Sequence, residues 1–390
     1  MVYATGYIEA EHPVSVSARI TAPVRDVLVR EGDRVARGQA LIVQDKTALI
    51  QTFAVQFIRG TRIEHPWLPH VEHLWHPARL AVMTQQPGFY PSGAAFGYLP
   101  ASIKPFFKVE HLSVFDPIEK SVDRLNAFRP EFIVGYTSSL EQLAREELAG
   151  RLTLRATGAL KQITNISEPL PEASAAFIER AFGVRVTNEY ALGECMCVSS
   201  GCLVSSGSHL NSDLAILEVV DTAYRPVPPG KAGSRVLITN LTNLVQPFIR
   251  YEVDDVVTMS PTPCPCGSPF PLISSVTGRD KDKLWVEVDD KVRDLPYYIF
   301  LAGLHGELDL AEHQVVQTGR NRFVVRVAPQ PGKTLSLEKI KALVDRSVEI
   351  EGLRGVLAYE IEIVPEIARG PSGKAIRVKN LCGPPPVPVS

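Results

Sequence analysis

Between residues 121 and 189 the chain alternates short apolar runs with amphipathic helical stretches, and this alternation constrains the fold most. Val122, Leu125 and Phe128 recur at helical spacing and stop before Pro130, whose ring disfavours helix in the residue preceding it. Phe132-Ile133-Val134 reads as a short buried strand, and Gly135-Tyr136 as a turn. Ser138 or Ser139 is placed to cap a second helix with an apolar face of Leu140, Leu143, Ala144 and Leu148, ended by Gly150. The unit then repeats. Gln162 to Ile166 is a strand, Ala173 to Phe182 a helix, and Val184 to Val186 a strand running into Asn188-Glu189-Tyr190. Strands and helices in alternation predict an α/β sheet, whose ligands sit beyond the C-terminal ends of its strands.

The flanking regions are different. Residues 1–45 alternate apolar and polar positions, with tight turns at Glu31-Gly32-Asp33 and Arg37-Gly38-Gln39, and predict a small all-β segment with Val24, Val27 and Val29 on short strands. Four histidines follow in HPWLPHVEHLWHPARL: His65, His70, His73 and His76. His70 and His73 are spaced for one helix face, but Pro66, Pro69 and Pro77 argue against a rigid metal-binding helix, so the stretch reads as a connector. Leu80 to Met83 is a short strand and Gln85 to Pro91 a turn region. From Asp213 the pattern is β, through LAILEVVD, SRVLITNL, PFIRYEV and VVTMSP, with a turn at Pro228-Pro229-Gly230. From Asp282 a mixed unit begins: strands at Leu284–Val288, Gln314–Gln317, Arg322–Val327 and Ala358–Val364, and a helix at Leu335–Val348.

Charge and composition exclude some functions. Lys plus Arg number 41 and Asp plus Glu 43, a net charge of −2, which argues against a general nucleic-acid binder. No run of 18 apolar residues is present to span a membrane, and MVYATGYIEAEHP lacks the basic-then-apolar pattern of a secretory signal. A cytoplasmic protein without nucleic-acid or membrane partners is expected. Five of six cysteines cluster between Cys195 and Cys266, a pattern that without a signal favours metal ligands or free thiols over disulfides.

Asn188 to Arg279 gathers acidic, aromatic, arginine and cysteine residues into short loops. Tyr190-Ala191-Leu192-Gly193-Glu194 follows a strand, then come Arg250-Tyr251-Glu252-Val253-Asp254-Asp255, Thr277-Gly278-Arg279-Asp280 and Gly370-Pro371-Ser372-Gly373-Lys374. A carboxylate can hold Mg²⁺ against phosphates, an Asp can accept ribose hydroxyls, an Arg fork can reach phosphate or ribose oxygens, and a Lys on a glycine loop can follow developing charge.

In this order the set resembles the adenylate-forming superfamily, and more specifically its phenylacetate–coenzyme A ligase and CapK-like branch. FRPEFIVGYTSSLEQLARE, PVPPGKAGSRVLITNL, QPFIRYEVDD and CPCGSPFPLISSVTGR carry the resemblance, which covers roughly residues 79–381. It implies a partial adenylate-forming large domain over 46–279, a small α+β lid over 280–381 and a disordered or polyproline tail over 382–390, after the β segment of 1–45. It implies that Tyr190 stacks on adenine, Glu194 binds Mg²⁺, Asp255 holds the ribose and Arg279 contacts ribose or phosphate. Lys374 would serve acyl-adenylate formation from the lid, and Lys281 would mark its hinge. The implied activity is ATP-dependent activation of a carboxylic acid, of the aromatic class, to an acyl-adenylate that can be passed on to coenzyme A. The implied partners are that small-molecule acid and the nucleotide.

Three positions depart from the family pattern. Residues 46–63 contain Gly60 as their one glycine where a Ser/Thr/Gly-rich phosphate loop is expected. Ala191-Leu192-Gly193 stands for Gly-x-Thr, and Ser167-Glu168 for Gly-Glu. Such a chain is a fusion, a degenerate copy or a gene-model artefact, and a nucleotide- or acid-binding remnant is the alternative function. Residues 1–45, through Ala22-Pro23-Val24, EGDRVARGQ and Leu41 to Asp45, resemble the first half of the biotinyl/lipoyl-type barrel-sandwich of HlyD-like secretion proteins. No heptads and no Met-Lys-Met lysine follow, so a β appendage without carrier role is favoured over a secretion adaptor. Finally, Cys264-Pro265-Cys266-Gly267 forms a tight thiolate turn, and with Cys202 and His209 completes a closed Cys₃His set suited to structural Zn²⁺. Members of the resembled branch show this pattern. Cys195 and Cys197 compete for the first position.

Overall fold

The computed structural model describes residues 24–30, 33–34, 42–44, 76–84, 104–196, 198–243, 247–279, 284–295, 297–300, 303–304, 307–350, 352–370 and 374–383. Most of the 1–45 segment, His65, His70 and His73, residues 46–63, the 85–91 turn, Cys197, Lys281 and residues 384–390 lie outside them. Of the N-terminal segment, β1 (Val24–Val27) pairs antiparallel with β2 (Ile42–Gln44).

The central sheet is parallel throughout. It comprises β3 (Ala78–Thr84), β4 (Phe107–Ser113), β5 (Phe132–Gly135), β6 (Gln162–Ile166) and β7 (Val186–Glu189), in the order β4-β3-β5-β6-β7. The crossovers are α1 (Ile118–Phe128), α2 (Thr137–Leu148) with the short α3 (Leu154–Thr157), and α4 (Glu172–Phe182). β5 and β6 are buried along their whole length, as expected of strands covered on both faces. Leu80, Leu125, Ile133, Leu140, Leu143, Ile163 and Ile178 form one core with them. Burying each such side chain contributes about 1.5–3 kcal/mol.

The alternation read from sequence is thus present, with corrections at helix ends. Neither Ser138 nor Ser139 caps α2; Tyr136 is the N-cap residue and makes no side-chain cap. The Glu168 carboxylate does that work instead, accepting from Ser138 N at 2.8 Å. Leu148, expected on the apolar face, is 40% exposed, because α2 reaches its last turn beyond the sheet. α4 ends on Gly183 at φ 73, so β7 begins only at Val186.

Two antiparallel sheets follow, from β8 (Ser199–Gly201), β9 (Ser208–Leu210), β10 (Ala215–Val220), β11 (Arg235–Asn240), β12 (Tyr251–Val253), β13 (Asp255–Met259) and β14 (Leu272–Arg279). Their orders are β10-β11-β12 and β13-β14-β9-β8. In the C-terminal part, β15 (Leu284–Val288) and β16 (Lys291–Leu295) make a hairpin over Asp289-Asp290, both at positive φ, the geometry of a two-residue hairpin turn. β17 (Leu310–Gly319), β18 (Arg322–Pro329), β19 (Ala358–Ile363) and β20 (Val378–Asn380) form a sheet ordered β19-β18-β17-β20. α5 (Leu337–Ile350) shares a core with it through Ile340, Val344 and Val348, joined by Phe300, Val325 and Val327. Residues 382–390 were expected to be disordered or polyproline, yet Cys382 and Gly383 are held. Cys382 N donates to Asn380 Oδ1 at 2.8 Å, and Trp285 Nε1 donates to the Gly383 carbonyl at 3.1 Å. Among the described residues no helix is long and apolar enough to cross a membrane.

Candidate active site

The C-terminal ends of β5, β6 and β7 lie side by side, and a polar network joins them. Thr137 Oγ1 is 2.7 Å from Asn165 Oδ1, and Asn165 Nδ2 donates to Asn188 Oδ1 at 2.8 Å. The loop after β7 carries Tyr190 and Glu194. Asp255 opens β13 and is the register partner of Arg279 at the end of β14. Sequence-distant groups are therefore delivered to one place by strand ends.

All five expected nucleotide-site residues interact directly or through charge at this place. Tyr190 Oη donates to Asp255 Oδ2 at 2.6 Å, while its ring is buried with Cys195, Val198 and Ala215. Arg279 Nε lies 3.6 Å from Asp254 Oδ1 and 3.8 Å from Asp255 Oδ1. Burial raises the Asp255 carboxyl above its ordinary value, and the Tyr190 hydrogen bond and Arg279 pull it back. Lys374 sits beside them, its amine lowered by burial and by Arg279 and raised by Glu168 and Asp255. Glu194, the fifth, accepts the Tyr251 hydroxyl, which holds that phenol above its usual range. Asn240 Nδ2 donates to the Glu194 carbonyl at 2.9 Å, fixing the loop that carries it.

Glu168 belongs to this cluster, and its sequence reading saw only a departure from a pattern. It follows β6 as Glu194 follows β7, and that parallel position was the available signal. The preceding residue, Ser167, adopts φ 65, a conformation costly for a residue with a Cβ. Glu189, also unremarked, ends β7, and burial pushes its carboxyl up to about 8.

The C-terminal part docks over the site through charges. Arg377 Nη2 is 2.8 Å from Glu141 Oε2 of α2, with side chains 10% and 1% exposed. Its Nη1 lies 2.8 Å from His313 Nε2. Arg369 pairs with Glu312, which also accepts from Gln142 Nε2 at 3.3 Å. Arg145 of α2 is wholly buried, donates to the Glu307 carbonyl at 3.3 Å and is pulled by burial down to about 10.

A second cluster lies on the β13-β14-β9-β8 sheet. Ligand atoms of Cys202, His209, Cys264 and Cys266 all fall within 4.8 Å of one another. Cys202 Sγ and Cys264 Sγ are 3.7 Å apart, and Cys266 Sγ is 3.2 Å from His209 Nε2. Bonds of about 2.0–2.3 Å to one tetrahedral ion imply ligand separations of about 3.3–3.8 Å; the Cys202–Cys264 separation lies in that range and the Cys266–His209 separation close to it, so the donor set is of the kind that could hold Zn²⁺. His209 Nδ1 is 3.3 Å from the Phe270 carbonyl, which selects the tautomer that aims the Nε2 lone pair at the cluster. Val204 N and Ser205 N donate to Cys202 Sγ at 3.4 and 3.3 Å. Cys195, a competitor for the first position, is buried beside Tyr190 and Val198.

No protein-family model matches the chain. Over 213 residues, 50% of this chain, it is 30% identical to a phenylacetate-coenzyme A ligase of Thermus thermophilus, covering 47% of that protein. A second phenylacetate-coenzyme A ligase, from Aromatoleum evansii, is 25% identical over 173 residues, 43% of this chain and 38% of that protein. The chain thus spans about half, or less, of the length of these curated relatives. Among solved structures, 2-hydroxyisobutyryl-CoA ligase in its postadenylation state aligns with a TM-score of 0.64 at 22% identity, over 85% of this chain and 69% of that one. An open conformation of that ligase gives 0.50 at 22% identity, over 85% and 70%. Anthranilate CoA ligase AuaEII bound to anthranoyl-AMP gives 0.56 at 15% identity, over 84% and 62%. These structures show a shared fold.

Proposed function

We propose that this homologue of the phenylacetate–coenzyme A ligases, built on the adenylate-forming fold, activates a carboxylic acid with ATP and passes the acyl group to coenzyme A. In the first step a carboxylate oxygen attacks the α-phosphorus and pyrophosphate leaves. In the second the thiol attacks the acyl-adenylate carbonyl and AMP leaves. An aromatic acid is the substrate class in keeping with the relatives' names. The observation that carries the reading is the convergence of Lys374 from one end of the chain on Asp255 and Arg279 from the middle. Asp255 would accept the ribose hydroxyls, with Tyr190 fixing its rotamer and Arg279 its charge. Lys374 would meet the negative charge that grows on the α-phosphate oxygens during transfer. Glu194 would hold Mg²⁺, which supplies neutralisation of the phosphates. Catalysis is positioning and electrostatics, without a covalent enzyme intermediate.

Carboxylate-dependent pyrophosphate exchange over a panel of aromatic acids tests this. Exchange is expected, with Lys374→Ala lowering it about a hundredfold or more, the scale of one lost electrostatic donor. It should also fall as pH rises through the lowered pKa of Lys374. Exchange with no acid in the panel overturns the enzymatic reading, and AMP binding without exchange would leave a nucleotide-binding remnant.

The four-residue cluster is proposed as a structural Zn²⁺ site that ties the β8–β9 loop to the turn before β14. Elemental analysis should return one zinc per chain, and Cys264→Ser should release it and lower Tm. A metal-free protein with unchanged Tm in Cys264→Ser would count against the site.

A further inference from the structure

Glu168 touches both sides of the closed molecule. Its Oε2 accepts from Ser138 N at 2.8 Å and its Oε1 from Ser138 Oγ at 3.0 Å, at the first turn of α2. The same Oε1 accepts from Ala375 N at 2.9 Å, 207 residues away in sequence and next to Lys374. The loop is further closed by Gly370 N donating to the Lys374 carbonyl at 3.0 Å. Glu168 itself is 8% exposed, and its backbone is pinned: its amide donates to the Ile166 carbonyl at 2.8 Å and its carbonyl accepts from Asn165 Nδ2 at 2.7 Å. A carboxylate this enclosed requires several donors to offset its lost hydration. Two come from Ser138 at the first turn of α2 and the third from Ala375, beside Lys374.

We propose that Glu168 is a positioning residue that holds the lysine loop in place for acid activation, by binding the Ala375 amide and facing the Lys374 ammonium. The inference rests on the adenylation role given to Lys374 above. With the loop docked, Glu168 gains its third donor and a cation neighbour. With the loop away, its Oε1 keeps the Ser138 hydroxyl alone. The docked state is thereby favoured by one charge-assisted hydrogen bond, with the Lys374 charge adding attraction at longer range. The charged groups acting on Lys374 are Glu168, Arg279 and Asp255, and Glu168 is the strongest of them.

Glu168→Gln keeps the shape and one acceptor but removes the charge. In the full chain, pyrophosphate exchange should fall about tenfold or more, the scale of one charge-assisted hydrogen bond. Thioester formation from supplied acyl-adenylate should be unchanged, because it does not draw on the docked lysine. In a Lys374→Ala background Glu168→Gln should cost nothing further, since both act through one group. The alkaline limb of exchange should move to lower pH, as Lys374 loses its largest upward influence. Independently of activity, amide hydrogen exchange of the Lys374–Arg377 segment should accelerate in Glu168→Gln while the α2 peptide and Tm hold. Unchanged protection of that segment overturns the proposal whatever the activity. So does equal loss in both half-reactions, or an additive loss with Lys374→Ala. If the wild-type chain shows no exchange but Glu168→Gln still loosens the segment, the enzymatic reading fails and the docking role stands.

Discussion

Tyr190 and Asp255 show how one residue can serve two neighbourhoods. The Tyr190 ring completes an apolar cluster with Val198 and Ala215, while its hydroxyl reaches Asp255 at 2.6 Å. Asp255 is 9% exposed, and burial alone would favour its neutral form. The Tyr190 hydrogen bond and Arg279 pull it back toward the ionised form, the form that the proposed ribose contact needs. Tyr190→Phe should therefore raise the Asp255 pKa further. The sign follows: nucleotide binding, which needs the carboxylate, is lost as pH falls, and in the variant that loss should begin at higher pH. AMP titration calorimetry at several pH values checks this; coincident profiles would remove the role given to the hydroxyl. Both residues stood out in sequence because each lies in a short polar stretch beside an apolar run. Their pairing did not. Tyr190 was read as an adenine platform, and its burial and its bond to a residue 65 positions away depend on tertiary packing. Glu168 was missed for the same reason, because a Glu two residues past a strand says nothing of the backbone amide 207 residues on that it will accept from.

At the scale of elements, the α/β half was readable because buried parallel strands are continuous apolar runs separated by helical periods. β8, β9 and β14 were not read as strands. SSG and SHL are short and polar, and they exist because β14 supplies the edge on which they pair. That edge depends on a close approach. A Cβ at Gly207 would stand 2.4 Å from the Ile273 carbonyl oxygen, which is backbone and cannot rotate away. Gly207→Ala should therefore push β9 off β14, at a cost of about 1–3 kcal/mol for overpacking. Because His209 lies on β9 and pairs in register with Leu272, the displacement should also loosen the metal cluster. Urea unfolding together with metal content tests both consequences, and a variant with wild-type values for each would show that the strands tolerate the contact.

Across the whole molecule, the large part and the C-terminal part meet through Arg377–Glu141, Gln142–Glu312 and the buried Arg145, which donates to the Glu307 carbonyl. Removing one member of a buried ion pair leaves the other uncompensated and typically costs about 3–5 kcal/mol. Glu141→Gln strands Arg377 in this way. The expected outcome is release of the C-terminal part, seen as a larger radius of gyration in small-angle scattering. Unchanged scattering would mean that the remaining contacts suffice. Composition and charge gave no hint of this joint, since each residue in it reads alone as ordinary surface. The joint has a consequence for life outside the closed form. Faces lined by Glu141, Arg145, Glu312 and Arg377 become, once parted, charged surfaces open to hydration. Ions in the surrounding medium screen these charges once the faces are parted, whereas the buried pairs of the closed form are screened much less.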